Sequence, residues 1–108
     1  MQLPSEIFGE VIVVHAPEEL TGDNANGFAK CVEQLIRNQV VLDLDGNEMI
    51  DSEGLETLLD LRDGLAEVNG DLRVATSNTT NRKLLEITRL DQELEVFGSV
   101  IDAVKSYR

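Results

Sequence analysis

The residues whose order most suggests chemistry fall in one stretch. Between Val40 and Leu59 a valine-rich apolar run leads through Asp45-Gly46-Asn47-Glu48 and Met49-Ile50 into Asp51-Ser52-Glu53-Gly54-Leu55 and then into residues with helical periodicity. Ser52 is therefore expected at a helix N-terminus, where the backbone N–H groups of the first turn have no partner within the helix. Gly54 would let another molecule come close to that turn. A serine hydroxyl placed there either caps the helix, worth roughly 0.5 to 2 kcal/mol, or stands available to a second molecule. Asp51 is equally able to be the cap or to position the hydroxyl, and spacing leaves the two roles open.

The same predicted helix carries a second pattern. Glu53, Glu56, Asp60, Asp63 and Glu67 recur at steps of three and four, on an arc opposite the leucines, with Ser52 at its edge. Neighbouring like charges on a helix cost about 0.2 to 0.5 kcal/mol per pair, and from Asp43 to Asp71 there are ten acids with only Arg62 against them. The stripe is either a solvated face or a docking face for a basic partner surface.

Other chemistry is poorly supported. Asp43-Leu44-Asp45-Gly46-Asn47-Glu48 has the composition of a calcium loop, but its glycine stands fourth where that loop needs it sixth. A phospho-receiver domain wants an acidic pair after its first strand and a lysine after its last, and this sequence has neither. No serine, histidine and acid set suggests a hydrolase. His15 is a lone histidine near a strand end, and Cys31 lies among Phe28, Val32 and Leu35 on one helical face, which predicts a buried packing residue. Neither a catalytic residue, a metal ligand nor a cofactor is expected.

What must position Ser52 is a small α/β fold. The 108 residues, 42% of them hydrophobic, suit a single domain spanning 1–108. With 9 basic against 21 acidic residues the net charge is -12, which repels nucleic acid and anionic lipid. Apolar runs such as Val11 to Val14 are too short for membrane insertion, and one cysteine fits a reducing compartment, so a cytoplasmic protein is expected. Strands are predicted over Leu3–Phe8 and Val11–His15 as a hairpin turning at Gly9-Glu10, then over Gln39–Leu44, Leu72–Ala75 and Leu94–Phe97. Helices are predicted over Asn24–Arg37 and Ser52–Val68, from a cap at Thr79 or Thr80 through Leu84, Leu85 and Ile87, and from a cap at Ser99 through Val100, Ile101, Val104 and Tyr107. Alternating strands and helices imply a sheet with a parallel centre.

At Ile50-Asp51-Ser52-Glu53-Gly54-Leu55 the sequence resembles the STAS domain family of anti-sigma factor antagonists, whose motif is Asp-Ser-x-Gly-Leu at this strand-to-helix junction. Leu84-Leu85-Glu86-Ile87-Thr88-Arg89-Leu90, Val96-Phe97 and Ser99 to Val104 are similar to the family's third helix, last strand and closing helix. The resemblance implies a STAS fold: a mixed sheet of four to five strands, with an antiparallel first pair and a parallel centre, and about four helices.

It also implies a function. In that family the motif serine is phosphorylated by a serine kinase that is also an anti-sigma factor, and a phosphatase reverses this. Carried over, Ser52 is the acceptor, with Asp51 and Gly54 supporting it, and the chain is a kinase substrate and binding protein rather than an enzyme. The alternative is a constitutive adaptor subunit of a lipid-transport or sensory complex, with Ser52 only a helix cap.

Overall fold

The computed structural model describes residues 1–107. Its centre is three short strands rich in valine and leucine: β2 (Val11–His15), β4 (Gln39–Asp43) and β6 (Asp71–Ala75). Residues apolar on both faces of a strand require cover on both sides, as parallel strands receive. β1 (Ser5–Phe8) pairs antiparallel with β2, while β2, β4, β6 and β7 (Val96–Phe97) run parallel, in the order β1-β2-β4-β6-β7.

This order fixes where the helices lie. α1 (Ala25–Glu33), α2 (Ser52–Ala66) and α3 (Thr79–Ile87) each connect a strand to its next neighbour in the same direction. Right-handed crossovers that all advance one way put all three helices on one face. There Phe28, Val32, Leu58, Leu61 and Leu85 pack against Ile12, Val14, Val40, Leu42, Leu72 and Val74. The alternate residues Val11, Val13, Val41 and Ala75 face the other way and are covered by Ala103 of α4 (Val100–Lys105) with Val104 and Tyr107. Fully burying a leucine such as Leu58 contributes about 1.5–3 kcal/mol. The Tyr107 hydroxyl lies between the carbonyls of Val40 and Asp71, at 2.7 and 2.8 Å, and Arg73 stacks 4.1 Å from its ring centre.

The expected α/β class, antiparallel first pair, parallel centre and four helices are all present. Several boundaries differ. The first strand begins at Ser5 rather than Leu3, although Pro4 still accepts a bond from His15 N–H. α1 stops at Glu33, not Arg37: the chain must turn back to reach β4, and Ile36, 76% exposed, belongs to that turn and not to the helix's apolar face. α2 ends at Ala66 rather than Val68, closed by a left-handed Asn69 and a bond from Gly70 N–H to the Leu65 carbonyl.

The third helix is capped by Asn78 and not by Thr79 or Thr80, its Oδ1 accepting from Thr80 and Asn81 N–H. Ser99 caps α4 as expected. A 3-10 turn at Leu90–Gln92 shortens the last strand. Cys31 is half-buried, not buried, and its thiol donates to the Met1 carbonyl at 2.8 Å, so the N-terminal segment covers it. A small parallel pair, β3 (Glu19–Leu20) with β5 (Met49–Ile50), was not expected from the sequence.

Candidate functional site: the junction of β5 and α2

The unexpected strand pair builds the site. β3 lies in the loop before α1, β5 ends the loop before α2, and their pairing brings Gly22 beside Asp51. Asp51 is the N-cap of α2: Oδ1 accepts Gly54 N–H at 2.9 Å, and Oδ2 accepts Gly22 N–H at 3.0 Å. These two donors, Gly54 foremost, hold the Asp51 carboxyl below its usual pKa. Ser52, next in the chain, is the first helical residue and is exposed. The cap role that spacing left open thus belongs to Asp51, and the fold does not call on the Ser52 hydroxyl for it.

Gly54 is needed for an internal reason. It is buried, and a Cβ there would run into the Leu20 carbonyl and come within 2.9 Å of Ile50 Cγ2. The molecule that comes close to this first turn is the chain's own β3. Glu53 folds its carboxylate over Gly22, where a Cβ would collide with it. Glu19, Thr21, Gly22, Asp23, Met49, Asp51 and Glu53 surround a shallow hollow of about 440 Å³ beside Ser52. Met49, 55% exposed, is its one large apolar group. Nearby, a hydrogen bond with Glu18 raises the pKa of the Glu48 carboxyl, a sign of how crowded the negative charge is here.

Asn47 is a positioning residue that sequence reasoning did not single out. It is 2% exposed, and its amide nitrogen donates to the carbonyls of Pro17 (2.8 Å) and Met49 (3.2 Å). One side chain therefore ties together the two loops that carry β3 and β5. Only its polarity hinted at this; its partner Pro17 lies thirty residues away.

The predicted acidic stripe is present as a surface. Glu53, Glu56, Asp60, Asp63 and Glu67 are all exposed on α2. Arg62 beside it offsets one member, meeting Asp63 at 3.2 Å, and also donates to the Glu93 carbonyl at 2.8 Å. His15, the last residue of β2, is not part of this stripe; it lies between Glu6 and Asp43, with each ring nitrogen 2.9 Å from a carboxylate oxygen. Among the described residues no group of three or more His, Cys, Asp or Glu is placed to hold a metal ion, and no helix is long and apolar enough to cross a membrane.

Residues 2–103 match the STAS domain model. The chain belongs to the STAS domain family. A Thermotoga neapolitana protein that carries the name of an anti-sigma factor antagonist homologue is 26% identical over 106 residues, 94% of each chain. Among solved structures, a Thermotoga maritima protein described as an anti-sigma factor antagonist superposes on this STAS chain with a TM-score of 0.85, at 23% identity over 96% of this chain and 92% of that one. The anti-sigma factor antagonist SpoIIAA superposes in its unphosphorylated form with a TM-score of 0.74, at 16% identity over 99% of this chain and 96% of that one. Its phosphorylated form, from Bacillus, gives 0.68 at 17% identity over 99% and 100% of the two chains. At these identities the structural likeness establishes the STAS fold.

Proposed function

We propose that this STAS chain is an anti-sigma factor antagonist working as a protein-binding switch. In its unphosphorylated form it holds an anti-sigma factor serine kinase; phosphate on Ser52 releases it, and a phosphatase resets it. The chain is then a substrate and a binding protein, not an enzyme. The observation that carries this reading is the division of labour at the helix start: Asp51 does the capping, and the exposed Ser52 hydroxyl is left to a partner. The names of the relatives support the same reading.

The physics of such a switch is local. A phosphoserine carries about -1.5 to -2 charges at neutral pH, and here its neighbours in the chain are the acidic Asp51 and Glu53, with the positive end of the α2 dipole favouring it. The Asp51 carboxylate already occupies the Gly54 and Gly22 N–H groups. The new charge therefore stays on the surface that meets the partner, next to exposed Met49, and affects the complex without requiring the domain to refold. Pull-down from source cells with wild type, Ser52→Ala and Ser52→Asp tests the reading. Wild type and Ala should retain a serine kinase while Asp loses it. Equal retention by all three would instead make the chain a constitutive adaptor.

A further inference from the structure

At the other end of α2 lies a feature that the Ser52 switch does not use. A groove of about 320 Å³ runs between α1 and α2, floored by Val32, Leu61, Leu65 and Val68, with Glu33 and Asp60 on its rims. Val68 at the end of the groove is 56% exposed, so the apolar floor is open to solvent. Gly64 forms part of the wall. Its backbone φ is not in the left-handed region, and a Cβ there would meet nothing within 4 Å. Neither conformation nor internal packing asks for glycine at this position, although glycine weakens a helix relative to alanine. The missing side chain leaves a dent in the groove that the chain itself does not fill.

We propose that this groove binds a short, basic, amphipathic helix of another protein. The apolar floor between two helices suits a third helix laid side-on. From Asp60 to Ala66 the helical wall is about 9 Å long at 1.5 Å per residue, with Val68 just beyond it, which is room for about two turns of contact. The rims choose the charge of the occupant. Glu33 and Asp60 border the groove, with Glu56, Asp63 and Glu67 exposed on the same helix, and Lys30 on α1 and the Glu93-bound Arg62 are the cations of these two helices. A second copy of a chain with net charge -12 is repelled from such a face, whereas lysine or arginine beside a leucine stripe is attracted. Gly64 lies twelve residues beyond Ser52, about 18 Å along the helix, so docking here is independent of phosphate at Ser52.

The test is titration of the isotope-labelled protein with a synthetic helical peptide of about 14 residues, leucines at i, i+3, i+4 and i+7 and lysines elsewhere, followed by amide NMR. The expected result is saturable binding with shifts centred on residues 32–33 and 60–68, and about tenfold weaker binding of a scrambled peptide of the same composition. Gly64→Leu, which fills the dent, and Asp60→Lys should each weaken binding by about tenfold while melting at or above the wild-type temperature. Equal affinity for the scrambled peptide, shifts spread towards Glu53, or an unchanged affinity in Gly64→Leu would overturn the proposal. So would concentration-dependent self-association of the free protein through residues 60–68.

Discussion

Asp51 and Gly22 are 29 residues apart in sequence and joined by a 3.0 Å hydrogen bond from the glycine N–H to the aspartate carboxylate. Because the same carboxylate caps α2 through Gly54 N–H, one side chain sets both the start of the helix and the loop beside it. Asp51→Ala should therefore lower the melting temperature by about 5 °C. Ser52→Ala, which removes no cap, should stay within about 0.5 kcal/mol of wild type. A thermal melt in which Ser52→Ala is the more damaging of the two would reverse the assignment of the cap.

Gly54→Ala is expected to be costly in the free protein. The new methyl group meets the backbone of Leu20 and the side chain of Ile50, and neither can move without breaking the β3–β5 pair. Overpacking of this kind costs typically 1–3 kcal/mol. Chemical denaturation should show the loss in the absence of any partner; unchanged stability would mean that the glycine serves only an external contact.

His15 provides a pH signature. Its two ring nitrogens face Glu6 and Asp43, an arrangement satisfied on both sides only by the imidazolium, and the bond to Glu6, followed by that to Asp43, raises its pKa above the usual 6.5. A raised folded-state pKa stabilises the fold fully below 6.5, and the contribution disappears as pH rises through the folded-state value. Melting curves between about pH 5.5 and 8.5 should show wild type losing its advantage over His15→Gln as pH rises. A constant difference between the two would contradict this account.

Much of this architecture was legible because it rests on local rules. Valine runs bounded by turns marked the central strands, Asn69-Gly70 marked the end of α2, and Ser99 announced α4. The Asp-Ser-x-Gly-Leu resemblance identified the family. What could not be read depends on long-range partners. β3 and β5 are two residues each and exist through pairing with one another. The choice between Asp51 and Ser52 as cap turns on one residue's backbone conformation, and Asp51 alone has the extended geometry of a cap. Asn47 and Gly22 matter through contacts about thirty residues away. Ile36 shows the opposite error: apolar spacing continued past the point where the chain had to turn.

Should the acidic face of α2 steer a basic partner, its effect belongs in the association rate. Glu56, Asp60, Asp63 and Glu67 are exposed, and attraction between exposed charges fades beyond about 8 Å at physiological salt. Rapid-mixing measurements with the retained partner should show association slowing as salt rises, and Asp60→Asn with Asp63→Asn reducing both the rate and its salt dependence. If neither changes, the stripe is only a solvated face.

The central claim concerns Ser52, and mass spectrometry of the protein isolated from its own cells tests it most directly. The account predicts a single phosphoryl group, located by fragmentation on Ser52, present in a fraction of molecules and lost in Ser52→Ala without compensation elsewhere. A chain that never acquires phosphate under any growth condition, or that carries it on another hydroxyl such as Thr57 while Ser52 stays unmodified, would contradict it.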